Sequence, residues 1–226
     1  SSICTLTKND QGNRLVTGTE RVSPGSYRNH SEEQERIQTT MKIAVYGGAQ
    51  PKLGDEVYQQ GIQLGQWIAE NGHTVLTGGY TGIMEAVSKG AAEKGGKVIG
   101  VTCQELENWR NNRANQWVSE EWKLPTLRER LWTILSNSDL GIAMPGGIGT
   151  LAEISMLWNH QIIGILSNSP IILVGEEWHK VFESFFSLLG KYTNDHDKEH
   201  ILFAPDIQQA IRFAAKVLES KSVNPQ

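Results

Sequence analysis

The chain has 226 residues, which is enough for one α/β domain with a complete hydrophobic core. Its formal net charge is −4, so the composition does not indicate nucleic-acid binding. No apolar run is long enough to span a membrane and no signal peptide is visible, so no membrane partner is expected.

The two cysteines, Cys4 and Cys103, lie far apart in the sequence and in different kinds of segment. A disulfide between them is not expected, and no neighbouring His or Asn favours a nucleophilic role for either. This usage fits a reducing environment, and we expect a cytoplasmic protein.

Residues 1–40 differ in composition from the rest of the chain. They are rich in Ser, Thr, Asn, Glu and Arg, with few apolar residues and no sustained periodicity. This pattern predicts a flexible N-terminal extension or leader. The folded domain is expected to span residues 41–219, with 220–226 as a tail.

From Met41 onward, short apolar runs alternate with segments of helical periodicity. Predicted strands at 42–46, 73–77 and 97–102 each end at a glycine turn or a loop. Predicted helices at 54–71 and 82–94 separate them. This alternation predicts an α/β fold: a single doubly wound parallel sheet with helices on both faces. Right-handed crossovers then place the glycine turns at one sheet edge, where such folds bind ligands.

Residues 103–124 show no regular pattern and are predicted to be irregular. Trp117 and Trp122 are expected to cover the core or a subunit contact. Arg110 and Arg113 are either solvated or part of a flap that pairs with phosphate, and the sequence leaves both interpretations open. The next helix is predicted over 126–138, with a threonine as its cap.

A glycine stretch, residues 144–153, follows the predicted buried strand at 140–143 and precedes an apolar pattern of helical spacing. Gly146, Gly147 and Gly149 would let an anion approach the backbone, and the N–H groups that open a helix attract phosphate. The spacing is neither the dinucleotide fingerprint nor a P-loop. A mononucleotide or sugar phosphate is therefore favoured over NAD or ATP.

Glu153 has two interpretations. If Thr150 caps the helix, the Thr-Leu-Ala-Glu sequence forms a capping box in which Glu153 bonds back to the Thr150 N–H. Alternatively, the Glu153 carboxylate lies one helical turn from a phosphate-sized site, where it acts on a sugar or a water molecule.

The C-terminal third continues the alternation, with a strand at 171–174, a helix at 176–189 that carries a broad apolar face, a short strand at 201–203 and a last helix from 205 to about 219. Residues 194–200 contain two histidines among carboxylates. Their spacing does not match a metal site, so we predict a solvated loop and no metal.

Four motifs resemble the LONELY GUY (LOG) family, long labelled "lysine decarboxylase". The first is Pro-Gly-Gly-x-Gly-Thr-x-x-Glu at 145–153, and the second is the glycine turn at 77–86. Residues 45–49 are similar to the family's first-strand turn, and 127–130 lie where its active-site arginine is found. The resemblance covers residues 41–219 and implies a Rossmann-like domain of a superfamily that includes molybdenum-cofactor carriers.

The resemblance implies a hydrolase that cleaves the N-glycosidic bond of a nucleoside 5′-monophosphate, of the cytokinin ribotide or AMP type, into free base and ribose 5-phosphate. It implies Arg130 and Glu153 as catalytic residues and no cofactor. Family members form homo-oligomers, so a dimer or larger assembly is expected. The implied nucleotide- and phosphate-binding residues are Gly47, Gly48, Gly78, Gly79, Gly82, Gly146, Gly147, Gly149 and Thr150.

A binding module is the alternative, in which the same turns hold a nucleotide or a molybdenum cofactor without chemistry. Arg130 and Glu153 favour the enzyme. Three departures, Leu127-Arg128 for Met-His, Leu131 for Lys and Ala49 for Ser, leave the base specificity open. Lysine decarboxylation is not favoured, because Lys52 is the only lysine near the glycine turns.

Overall fold

The computed structural model describes residues 6–8, 14–16, 40–110 and 113–223 and divides the chain into two units, Ser1–Ile37 and Gln38–Gln226. The first unit contains two short antiparallel strands, β1 (Leu6–Lys8) and β2 (Arg14–Val16). The rest of the predicted N-terminal extension lies outside the described residues, so its flexibility stays a prediction.

The second unit is built on one seven-stranded sheet in which every neighbouring pair is parallel. The strand order is β6-β5-β4-β3-β7-β8-β9. The strands are β3 (Lys42–Tyr46), β4 (Thr74–Thr77), β5 (Val98–Cys103), β6 (Glu120–Leu124), β7 (Leu140–Ala143), β8 (Ile171–Val174) and β9 (Ile201–Ala204).

Helices cover both faces of this sheet, which confirms the predicted doubly wound, Rossmann-like α/β fold. The helices are α1 (Glu56–Glu70), α2 (Ile83–Glu93), α3 (Gln104–Arg110), α4 (Leu127–Ser136), α5 (Ile148–Ile162), α6 (Glu176–Leu189), α7 (Asp195–Lys198) and α8 (Ile207–Val223). Helices α1, α2 and α8 pack into one apolar cluster, and α4, α5 and α6 pack into another on the opposite face. Within the described residues, no helix is both long and apolar enough to span a membrane.

Residues 103–124 are more regular than predicted. They contain α3, which follows β5 directly, and β6, an edge strand paired with β5 from Ile99↔Glu120 to Cys103↔Leu124. The prediction of an irregular segment was wrong because β6 is polar, with a Glu-Glu-Trp-Lys sequence that lacks the apolar run of a central strand. An edge strand exposes one side to solvent and tolerates such residues. The Trp122 side chain packs against the core, as expected.

The histidine-containing segment 194–200 also contains a short element. Helix α7 forms one turn here, opened by a capping box between Asn194 and Asp197. Over the part of the chain that the structure describes, no cluster of His, Cys, Asp and Glu side chains is arranged to hold a metal ion. The last helix, α8, continues to Val223, beyond the predicted end at about residue 219.

The sheet changes winding direction between β3 and β7. Strand β3 pairs with β4 on one side and with β7 on the other. The loops after β3 and β7 therefore leave the same sheet edge side by side, and the Gly48 N–H donates a 3.0 Å hydrogen bond to the Pro145 carbonyl. This crevice is the usual ligand position in open α/β sheets.

The turn between β4 and α2 reaches the same place, and Gly82 makes the approach possible. Gly82 has φ +73°, and a Cβ atom there would lie 2.2 Å from the Gly48 carbonyl oxygen. The Ile83 N–H donates to that same oxygen at 2.9 Å. Both the backbone conformation and the contact distance therefore require a residue without a side chain.

We predict that Gly82→Ala lowers the free energy of unfolding by about 3 kcal/mol or more, because left-handed strain adds to a backbone clash. Gly95→Ala is the matched control, since Gly95 has φ +70° but open space around its Cβ position. The control should lose only about 1 to 2 kcal/mol. Urea denaturation measures both variants, and equal losses would contradict the close approach at Gly82.

Candidate active site

The glycine stretch opens α5 at Ile148, with Gly147 in the N-cap position and no side-chain cap. Thr150 therefore lies inside the first turn. The capping-box interpretation of Thr150 and Glu153 is wrong, because Thr150 is the third helical residue and not the N-cap. Glu153 is the sixth helical residue, three positions beyond the one from which a side chain bonds back to the N-cap. The first N–H groups of α5 have no intrahelical acceptors and point away from the helix.

The three glycines at 146, 147 and 149 have different surroundings. A Cβ at Gly146 would lie 2.2 Å from the Thr150 hydroxyl oxygen and 2.9 Å from the Gly48 nitrogen, so the fold itself requires glycine there. A Cβ at Gly147 or Gly149 would meet nothing within 4 Å. These two glycines border open space at the positive end of the α5 dipole, where an anion is stabilised.

The other predicted glycines also have packing roles. A Cβ at Gly47 would lie 2.6 Å from the Ile83 side chain, and one at Gly48 would lie 3.4 Å from the Pro145 carbonyl oxygen. Gly79 has φ +76° and packs against Gly100. The contacts at Gly47 and Gly79 explain these two glycines without a ligand, whereas the distance at Gly48 is an ordinary van der Waals contact. The contribution of all three to nucleotide binding stays a prediction.

Arg130 is buried, with only 6% of its surface exposed. The interpretation of this arginine as a surface charge is therefore excluded. Helix α4 begins with the predicted cap, since Thr126 and Glu129 form a complete capping box. Arg130 follows directly and points inward, while Arg128 is exposed.

The Arg130 guanidinium is enclosed by backbone and aromatic groups. Its Nε–H donates to the Val101 carbonyl at 2.8 Å, and its Cζ lies 5.5 Å from the centre of the Tyr80 ring. A Cβ at Gly78 would lie 1.8 Å from Nη2, so Gly78 makes room for the guanidinium. Met84 contacts the same group, with its sulfur 3.9 Å from Nη2.

No carboxylate within 4.0 Å pairs with Arg130 among the residues whose positions are described. Burial of an unpaired charge is costly, because water is lost and no opposite charge replaces it. Guanidinium forks bind phosphate and carboxylate groups in two-point contacts. Arg130 is therefore available to an anionic or polar ligand at the glycine turns.

Glu153 is the second buried charged group, with 9% of its surface exposed. Burial raises the pKa of its carboxyl from 4.5 to about 7, although the positive charge of Arg130 partly opposes this shift. Burial and the charge of Glu153 also raise the pKa of the Tyr46 hydroxyl. A carboxyl that titrates near neutral pH at the ligand-binding edge of a sheet is typical of catalytic acids and bases.

Sequence reasoning missed Tyr80 and Met84, the two side chains beside Arg130. Tyr80 is buried, and its hydroxyl donates to the Cys103 carbonyl at 3.2 Å and accepts the Cys103 N–H at 2.9 Å. Both residues lie in the 77–86 motif, so the motif did indicate the right segment. Of the two arginines that the sequence left open, Arg113 is exposed, and the Arg110 side chain lies outside the described residues, so the flap interpretation stays a prediction.

The chain belongs to a known family. Residues 40–201 match the SLOG cluster4 family, which covers most of the domain built on the seven-stranded sheet. The resemblance to the LOG superfamily is thereby confirmed.

The named proteins that this chain resembles include phosphoribohydrolases and molybdenum cofactor binding proteins. A protein of Mycobacterium tuberculosis, named cytokinin riboside 5′-monophosphate phosphoribohydrolase, is 28% identical over 179 residues, which cover 76% of this chain and 92% of the relative. The solved molybdenum cofactor binding protein of Rippkaea orientalis has a TM-score of 0.63 and 25% identity, covering 79% of this chain and 98% of that one. A Moco carrier protein of Chlamydomonas reinhardtii gives 0.61 and 25%, with 80% and 99% covered.

Glu153→Gln tests the raised pKa through stability. The folded pKa of about 7 exceeds the unfolded value of 4.5, so the folded state holds the proton more tightly. The stability that this group contributes is present below about pH 4.5, falls as pH rises to about 7 and stays lost above that. We therefore expect the variant to be more stable than the parent by about 2 to 3 kcal/mol at pH 8, and to have no advantage at pH 4.5.

The measurement is urea denaturation at both pH values. Glu183→Gln on α6, where the side chain is exposed, is the control and should show no such difference between the two pH values. A Glu153→Gln gain that is the same at pH 4.5 and pH 8 would contradict a carboxyl titrating between them.

Proposed function

We propose that this protein hydrolyses the N-glycosidic bond of nucleoside 5′-monophosphates, giving the free base and ribose 5-phosphate. The observation that carries the proposal is the buried Glu153 in the second turn of α5, the helix whose first turn borders open space at Gly147 and Gly149. Burial raises the pKa of its carboxyl to about 7. A carboxyl of this kind is typical of catalytic acids and bases, which favours an enzyme. The named phosphoribohydrolases among the relatives support the same reaction.

The substrate phosphate is assigned to the first turn of α5. The N–H groups there are unpaired within the helix, and Gly147 and Gly149 leave the adjoining space open. The ribose then lies toward the turns at Gly79 and Gly82, which come from the neighbouring strand β4. This arrangement brings the glycosidic bond near Glu153 and Arg130.

Cleavage of the glycosidic bond builds positive charge on the ribose, as in other glycoside hydrolyses. Water adds its oxygen to C1′ and the base leaves with a proton, so the atoms balance without a cofactor. The Glu153 carboxylate either stabilises the developing charge or accepts the proton of the attacking water. Arg130 orients the substrate through its remaining N–H groups.

A carrier function is the second candidate, and the structural likeness to molybdenum cofactor binding proteins supports it. Those proteins share the fold, and a shared fold does not decide between binding and catalysis. The two candidates differ in one observable property. An enzyme releases many equivalents of free base per protein, whereas a carrier releases none.

We predict that Glu153→Gln abolishes base release while nucleotide binding persists, because the amide keeps the shape of the carboxyl but neither accepts a proton nor carries charge. Incubation with AMP, other nucleoside monophosphates and a cytokinin ribotide, followed by chromatography, measures the released base. Calorimetry with the same nucleotides measures binding. Retained turnover in this variant would remove Glu153 from the mechanism, and no turnover in the parent protein with tight ligand binding would favour the carrier.

Gly149→Ala tests the phosphate position. The added Cβ meets no protein atom within 4 Å, and alanine is the better helix former, so stability should be unchanged or higher by up to about 1 kcal/mol. If the open space holds phosphate, the methyl group should weaken AMP binding about tenfold or more, as measured by calorimetry. Unchanged affinity would place the phosphate elsewhere.

A further inference from the structure

Asn115 connects the segment before β6 to the glycine turn after β4. Its backbone N–H donates to the Gly79 carbonyl at 2.7 Å. Its side-chain Nδ2 donates to the same carbonyl at 3.1 Å and to the Tyr80 carbonyl at 2.9 Å. Its Oδ1 accepts the Trp117 N–H at 3.1 Å. One half-buried side chain therefore fixes two consecutive carbonyl groups of the turn.

This pattern of contacts requires asparagine. Two carbonyls need N–H donors, and the Trp117 N–H needs an acceptor, which a carboxamide supplies at a single side chain. Aspartate has the same shape and keeps the acceptor, but it has no donor and would place a carboxylate oxygen against carbonyl oxygens. The residue type is thus determined by the turn that it contacts.

The fixed turn leads directly to Arg130. Tyr80 is held at its carbonyl by Asn115 and at its hydroxyl by the backbone of Cys103. With both ends held, the Tyr80 ring keeps its place beside the guanidinium, at 5.5 Å from Cζ to the ring centre. Gly78, on the other side of Gly79, provides the space for Nη2. A shift of this turn would therefore move Gly78 and Tyr80, two of the residues next to the Arg130 side chain.

We propose that Asn115 is a positioning residue for Arg130, acting through the Gly79–Tyr80 turn. It does not itself touch the reacting atoms. The effect of Asn115 on turnover rests on the proposed function, whereas its effect on the placement of Arg130 does not. The two are therefore tested by separate measurements.

The first measurement is the NMR signal of the Arg130 Nε–H, which donates to Val101 and is buried. Arg130→Lys assigns the signal in ¹⁵N-labelled protein by removing it. We expect Asn115→Asp to shift this signal and to speed its hydrogen exchange about tenfold, because the side chain loses its fixed neighbours. If that variant does not fold, Asn115→Ala removes the same donors without adding a charge.

Asn137→Ala is the matched control. The Asn137 side chain also donates to a backbone carbonyl, that of Thr133 at 2.9 Å, and it lies at the end of the same helix as Arg130. It does not contact the glycine turn, so the Arg130 signal should stay unchanged. A folded Asn115 variant with an unchanged Arg130 signal would overturn the proposal.

The second measurement is turnover of AMP in a double-mutant cycle. We expect Asn115→Asp to lower kcat/KM about tenfold in the parent protein and less than twofold in the Arg130→Lys background. Equal losses in both backgrounds would show that Asn115 does not act through Arg130. If the parent turns over none of AMP, the other nucleoside monophosphates and the cytokinin ribotide, the proposed function is refuted, and the NMR comparison then decides the positioning role alone.

Discussion

The backbone of Gly48 is the point on which the candidate site depends. Its N–H binds the Pro145 carbonyl and its carbonyl accepts the Ile83 N–H, so a single residue connects the loops after β3, β4 and β7. Each of these contacts requires backbones to approach without side chains between them, as the clash distances at Gly82 and Gly146 show. The edge of the site is therefore assembled by peptide groups, which leaves side chains free for chemistry.

Two of those side chains, Arg130 and Glu153, are buried at a cost to folding. Among the ion pairs of the described residues, none joins these two side chains at 4.0 Å or less. Burial of Glu153 raises its pKa and so favours the neutral form of its carboxyl. Structures retain such groups where binding or catalysis needs them. The phosphate of a bound nucleotide would add negative charge nearby, which balances Arg130 and raises the pKa of Glu153 further.

Sequence alone predicted the parallel sheet, because strands β3, β4, β5 and β7 are short apolar runs, and all of them except β5 are followed by glycine turns. It also predicted the cap at Thr126. It did not predict β6, whose polar residues suit an edge, nor the start of α5, where glycine rather than threonine is the N-cap. A capping box and a helix with Glu153 in its second turn have the same local sequence, and only the backbone path separates them.

The surroundings of Arg130 could not be read from the sequence, since Tyr80, Val101 and Asn115 come from three different segments. Of these three segments, the sequence indicated only the one that contains Tyr80, through the motif at 77–86. Asn115 gave no signal, because a single asparagine in an irregular-looking stretch has no spacing or periodicity to identify it. Its role appears only when the acceptors at Gly79 and Tyr80 are in place.

The capping box at the start of α4 has a consequence for the orientation of Arg130. Each residue advances the direction of a side chain around a helix axis by about 100°. Since the Thr126–Glu129 box sets the first helical residue at Leu127, it also sets the angle at which Arg130 leaves the helix. The same box occupies the carboxylate of Glu129 with the Thr126 N–H and hydroxyl. The Glu129 carboxylate is thus turned toward the helix end and does not pair with the Arg130 guanidinium. The guanidinium is left available to a ligand in the crevice.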